Sequence, residues 1–143
     1  MFSALFILLL LGHWAADYPG QTDAMAARKA GWTEVDTHGK AVHHHHGWGA
    51  NLAHASVHVA LCGGLLGLGA LLLPEITLSL VPTLLALLWI GATHAVIDRR
   101  WPVAAWMRLA RQESWAAHGG AAHVDQTLHT LAIGAAALFL ASV

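Results

Sequence analysis

Apolar residues fall along this chain in four long blocks, separated by two polar stretches and one tight turn. The blocks run from Phe2 to Ala16, Leu52 to Leu73, Ile76 to Ile97 and Val124 to Val143. A hydrocarbon core of ~30 Å takes about 20 helical residues, and the last three blocks supply them. The first is shorter and could be read as the apolar core of a signal peptide. No lysine or arginine precedes it and no clean small-x-small cleavage site follows, so a retained helix is the expectation. The pattern therefore predicts helices over about 2–17, 52–73, 76–98 and 123–142, forming a single integral membrane domain over 1–143. Pro74-Glu75 leaves so little chain between the second and third helices that they must be antiparallel neighbours.

The two polar stretches fix an orientation. The first, Tyr18 to Asn51, holds Arg28, Lys29 and Lys40; the other, Arg99 to Ala122, holds Arg99, Arg100, Arg108 and Arg111. These are all the basic residues, and a four-span topology puts both loops on one side. The positive-inside bias makes that side cytoplasmic and leaves both termini outside, which suits an inner (cytoplasmic) membrane. Trp14, Trp32, Trp48, Trp101, Trp106 and Trp115 lie in or beside the same loops, where indole favours the headgroup boundary. Asp23 to Lys29 and Val103 to Arg111 are expected to lie flat there as amphipathic helices, with irregular solvated loop as the alternative. The fold class expected is all-α: a four-transmembrane-helix bundle with short interfacial helices in the two cytoplasmic loops.

Composition agrees with a lipid environment. Hydrophobic residues are 57% of the chain and charged ones 10%, against about a quarter charged in soluble domains. A net charge of −1 argues against a nucleic-acid surface. Cys62 stands alone, so no intramolecular disulfide forms, and a small buried filler is its simplest role. Histidine is the anomaly, with 12 copies against 7 lysines and arginines together.

Eight ionisable residues lie inside the apolar helices, and their spacing repeats. The first helix ends in His13-Trp-Ala-Ala-Asp17 and the second begins with His54-Ala-Ser-Val-His58. The third ends in His94-Ala-Val-Ile-Asp98 and the fourth begins with Asp125-Gln-Thr-Leu-His129. A helix puts residues i and i+4 on one face, one turn apart. Ionisable groups within a membrane are costly and face the bundle interior. The topology makes His13, His58, His94 and His129 the deeper members and Asp17, His54, Asp98 and Asp125 the shallower. Four imidazoles should thus form a ring about 6 Å below a second ring of carboxylates and one imidazole. Gln21, Asp23 and Gln126 are placed to join as outer groups.

Imidazole and carboxylate are donors that zinc, manganese and iron favour, and helical bundles hold metal pairs with such residues. The expectation is one or two divalent transition-metal ions, zinc first, held by the eight residues. Two readings without a transition metal site of this kind compete. The pairs could hydrogen-bond across helices and fix their packing, or the deeper histidines could ligate haem, for which the acidic layer has no use. His43 to His46 form a separate run between Gly39 and Gly47, read as a flexible solvated insert with weak metal capture as its other role. His38 and His118 carry no assignment.

The stretch His13-x-x-Ala16-Asp17-x-x-x-Gln21-x-Asp23-x-Met25-Ala26 resembles the opening signature of domain-of-unknown-function family 3307, small bacterial and phage membrane proteins. His54-x-x-x-His58, Thr93-His94-x-x-x-Asp98 and Asp125-Gln126-x-x-His129 resemble its later elements. The resemblance spans all four helices and implies no settled activity. A more distant likeness, resting on His-x-x-x-Asp pairs, is to inner-membrane proteins taken for metal-dependent hydrolases.

Two classes of function then compete. A hydrolase would turn metal-bound water on an ester or phosphoester at the cytoplasmic face, with a lipid or lipid-linked substrate, and Asp23 would be its general base. A metal transporter or sensor would hold an ion transiently and would need polar groups reaching the far face. The outer halves of the helices hold no ionisable residue but Glu75, which favours an interfacial site. Gly20, Gly31, Gly119 and Gly120 would allow close approach or movement around a cavity opening to the cytoplasm.

Overall fold

A computed structural model describes the chain from Met1 to Val143. It is mostly helical, with four long helices: α1 (Phe2–Asp17), α3 (Trp48–Leu72), α4 (Leu80–Ile97) and α7 (Ala121–Ala141). They pack in a closed cycle, α1 on α3, α3 on α4, α4 on α7 and α7 on α1. Away from the polar loops they share an apolar core in which Leu5, Leu9, Leu66, Ile90, Ile133 and Leu140 are buried. Gly12 lets α1 approach α3 closely, since a Cβ there would stand 3.0 Å from the Cα of Cys62. Cys62 is buried and unpaired. The outward faces are as apolar as the core: Leu71, Leu80 and Leu88 are 83%, 74% and 67% exposed. Helices with no polar face call for lipid around them. Three helical stretches, Trp48–Leu72, Leu80–Ile97 and Glu113–Ala141, are long and apolar enough to cross a membrane, and Phe2–Asp17 is shorter.

The boundaries depart from the hydropathy pattern for identifiable reasons. α3 starts four residues early, at Trp48, because Gly47 (φ 97°) breaks the chain there and Asn51 is drawn inside. α4 starts late, at Leu80, because Ile76 to Ser79 is not helical, although Ile76 is buried in the core. Before α7 the chain forms a short helix α6 (Glu113–Trp115) and a π-helical turn (Ala116–Gly120), kinked at His118 and Gly119.

The all-α expectation needs one correction. Strands β1 (Trp32–Val35) and β2 (Ala41–His44) form an antiparallel hairpin in the first polar loop. Asp36 Oδ1 accepts from the backbone N–H groups of His38 and Lys40, and Gly39 (φ 78°) takes the left-handed position of the turn. The histidine run is therefore not a flexible insert. His44 stacks on Trp32 with ring centroids 4.5 Å apart and meets Glu34 at 2.9 Å, and its imidazole holds the Glu34 carboxyl below its usual range. His43 lies 2.8 Å from the Thr33 hydroxyl.

The two expected short helices form as α2 (Asp23–Arg28) and α5 (Trp101–Leu109). Thr22 caps α2 by accepting from the Met25 N–H. α5 turns Val103 and Met107 onto Ile97 and the start of α7, leaving Trp101, Trp106 and Leu109 exposed. Arg99 ties the two loops into one layer. Its guanidinium donates to the carbonyls of Lys29, His45 and His46 at 2.9, 3.0 and 3.0 Å. It also lies over the Trp48 ring, 4.7 Å from the centroid.

Candidate metal centre

Each helix contributes a pair one turn apart, and each pair closes as helical geometry requires. His13 Nε2 lies 3.2 Å from Asp17 Oδ2, and His94 Nε2 lies 3.0 Å from Asp98 Oδ2. His54 and His58 approach through their Nε2 atoms at 3.3 Å, and His129 Nδ1 lies 3.5 Å from Asp125 Oδ2. The polar pairs sit at the loop end of the helix cycle, where α1 and α4 finish and α3 and α7 begin.

The pairs also meet one another across the helices. His13 lies 5.0, 5.6 and 5.2 Å from His58, His94 and His129, measured between ring centroids. His94 sits 3.5 Å from His58 and 4.3 Å from His129. Asp17 Oδ1 reaches His58 Nε2 at 3.1 Å and His54 Nε2 at 3.2 Å. His54 Nε2 is 3.6 Å from Asp98 Oδ2, which joins the α3 and α4 pairs. All five histidines are buried, as is Asp98, while Asp125 is 24% exposed.

Ligand-forming atoms fall into three overlapping groups, each within 4.8 Å: His13, Asp17, His58 and His94; His54, His94 and Asp98; and Asp98, Asp125 and His129. Their directions are informative. Asp98 Oδ2 is held by Lys29 Nζ at 2.9 Å and lies 3.0 Å from His94 Nε2. Both ring nitrogens of His129 are buried without a hydrogen bond, its Nδ1 standing 3.5 Å from Asp125 Oδ2. Asp17 Oδ1, His54 Nε2 and His58 Nε2 form a triangle with sides of 3.1 to 3.3 Å. A ring nitrogen carries at most one proton and can point it at one partner. Several nitrogens and carboxylate oxygens share the same few points, more contacts than single ring protons can serve, and that crowding fits a shared cation. The donor set, nitrogen with carboxylate oxygen, is that of zinc, manganese or iron.

Outer groups hold two of the ligands in place. Gln126 donates through Nε2 to Asp17 Oδ2 at 3.0 Å, and its Oε1 lies 3.2 Å from His13 Nε2. Gln21 bonds the Asp17 backbone carbonyl rather than the carboxylate. Asp23 does not join. It is exposed in the first turn of α2 and is absent from all three ligand groups. α2 turns it toward solvent.

The sequence pattern misses three residues at the centre. Asn51 is fully buried, and its Nδ2 donates to the Ala95 carbonyl at 3.0 Å, binding α3 to α4. Its spacing, Asn51-x-x-His54-x-x-x-His58, continues the polar face by one turn and was a readable signal. Lys29, paired with Asp98, and Arg99, clasping the loops, are brought in from distant sequence and leave no local mark.

A cavity of about 500 Å³ opens between α5 and the start of α7, with Asp98 and Asp125 on its polar side, Arg100 beside them and Lys29 reaching in from the first polar loop. Gly120 packs closely on Trp115, since a Cβ there would collide with the indole ring. On the other side the cluster meets a void of about 10 Å³ beside His13, His94 and His129, barely room for a water.

Apolar helices closed around a converging set of histidines and aspartates define a helical membrane-type protein with a buried site able to take a metal. The chain belongs to the family described as Protein of unknown function (DUF3307), whose model matches residues 5–143. No curated protein and no solved structure matches it.

Proposed function

We propose that this chain is a single-domain, four-span protein of the inner membrane that binds divalent transition metal, zinc first, and hydrolyses an ester or phosphoester at the cytoplasmic face. In this reading α1, α3, α4 and α7 cross the bilayer, the loops face the cytoplasm and the termini lie outside. All the basic residues sit in the loop layer, and Trp14, Trp48, Trp101, Trp106 and Trp115 are exposed near it. At 1.5 Å per residue α1 spans about 24 Å, so the bilayer thins or the loop end of α1 sits at the headgroups. α2 and α5 lie in that interface.

The observation that carries the metal reading is the convergence of ligand atoms from all four long helices, Asp17, His58, His94, Asp98 and His129 among them, within 4.8 Å in each group, with both ring nitrogens of His129 buried without a hydrogen bond. The groups differ in a way that suits two ions. His13, Asp17, His58 and His94 offer four ligands in a closed setting, the pattern of a structural site. Asp98, Asp125 and His129 offer three, with both carboxylates on the cavity; three ligands and an open position are the pattern of a catalytic one. A metal there supplies Lewis acidity and lowers the pKa of its water. Hydrolysis joins the water oxygen to the phosphorus or carbonyl carbon and breaks the ester bond. One water proton goes to solvent in the cavity, and the leaving alkoxide takes one back.

Transport is disfavoured, because beyond the deep histidines Leu5, Leu9, Leu66, Ile133 and Leu140 close the interior with apolar packing. Metal analysis of the purified protein tests the proposal. The double variant His94→Ala/Asp98→Ala should lose stoichiometric metal, and replacing His43 to His46 should not. Metal lost with the loop histidines and kept without His94 and Asp98 would refute it.

A further inference from the structure

The cavity between α5 and the start of α7 has a chemistry of its own. Two cationic side chains, Lys29 and Arg100, stand beside Asp98 and Asp125, and the remaining wall is apolar, Ala104 and Met107 among it. Asp98 is 3% exposed and lines the cavity. Lys29 is 14% exposed and its ammonium lies 2.9 Å from Asp98 Oδ2. Arg100 is exposed and makes no ion pair; its backbone is held left-handed at φ 64°. An arginine kept in that conformation persists only where its surroundings impose it, which is common at binding sites.

We propose that this cavity binds the phosphoryl group of an amphiphilic phosphate ester, with Arg100 and Lys29 on its oxygens and the apolar wall against its tail. The inference rests on the metal reading, since it names the substrate class of the same centre. Three features single out phosphate. A planar fork of N–H donors from arginine matches phosphoryl oxygens. The lysine adds a point charge, and a cation held by Asp98 and Asp125 would turn that pair from repelling an anion to attracting one. The apolar wall, in a layer of exposed tryptophans, suits a substrate that arrives from the bilayer surface. A free phosphate shares the first two features and not the third.

The test uses the full chain in neutral detergent, zinc-loaded and chelator-treated, titrated by calorimetry. The probes are dihexanoyl phosphatidic acid, dihexanoyl phosphatidylcholine and inorganic phosphate. Phosphatidic acid should bind at least tenfold more tightly than either other probe, and chelation should weaken it. Arg100→Gln, an exposed change that spares the core, should weaken it at least tenfold. Ala104→Trp, also at an exposed position, should weaken phosphatidic acid and leave inorganic phosphate unchanged. Equal binding of inorganic phosphate, or indifference to Arg100→Gln, would overturn the inference. Stoichiometric zinc with no lipid binding would sink this proposal and leave the metal centre standing. Arg100-dependent lipid binding in protein that takes up no metal would do the reverse.

Discussion

Removing the Arg99 side chain should unfasten the first loop without unfolding the helices. Arg99→Ala deletes three hydrogen bonds from one guanidinium, to the carbonyls of Lys29, His45 and His46, and its stacking on Trp48. Hydrogen bonds from a charged donor contribute about 1.5–3 kcal/mol each when buried. The bonds to His45 and His46 are exposed and that to Lys29 is part-buried, so the lower end applies to one and less to the others. Stacking at an exposed site adds about 0.5–1 kcal/mol. A net 2–3 kcal/mol held by one side chain is the outcome, which is about 30- to 150-fold in a local opening equilibrium.

Amide hydrogen exchange reads that opening directly. The hairpin amides in Trp32–Val35 and Ala41–His44 should exchange about 30- to 150-fold faster in Arg99→Ala, while the amides of α4 keep their protection. Arg99→Lys should fall between, because an ammonium cannot address three carbonyls with a planar fork. Arg108→Ala removes the same charge from an exposed site and should change nothing. Unaltered hairpin exchange in both Arg99 variants would refute the clasp. The consequence reaches the centre, since Arg99 holds the backbone of the lysine whose ammonium meets Asp98.

Two further outcomes follow from the same geometry. His94→Leu, close in volume, should abolish the rise in melting temperature that zinc gives, and should cost the metal-free protein no more than about 1–3 kcal/mol, because Asp98 Oδ2 loses the His94 contact at 3.0 Å and keeps Lys29 at 2.9 Å; a larger loss of metal-free stability would mark His94 as a packing residue. Single cysteines placed at Gly39 and Ser114 in a Cys62→Ala background should resist membrane-impermeant thiol reagents in intact cells and react in inverted vesicles; labelling of the two sites on opposite sides would break the proposed topology.

Much of this centre was readable from spacing, and the reason is local. A separation of four residues fixes two side chains on one helical face whatever the tertiary structure, and all four pairs meet accordingly. Helix limits were less legible because hydropathy cannot tell an apolar helix from an apolar extended turn, and Ile76 is buried in the latter. The hairpin was obscured by its own composition. Four consecutive histidines read as low complexity, although Trp32–Val35, the Asp36 to Gly39 turn and the pairing of Trp32 with His44 obey ordinary hairpin rules. Lys29 and Arg99 were beyond reach, since their partners lie 69 and up to 70 positions away in the chain.

The polarity of the centre along the helices limits what it can do. Below the histidines the interior is closed by leucine and isoleucine; above them a cavity of about 500 Å³ opens between α5 and the start of α7. An ion bound among these residues can exchange with one side only. A conduit needs a second opening, and the buried interior beyond the deep ring is apolar. A packing device needs no cavity and would hydrogen-bond its own nitrogens, whereas both ring nitrogens of His129 are buried without a hydrogen bond. A buried donor set with one polar entrance, cations at that entrance and an apolar wall beside them together support the proposed reading.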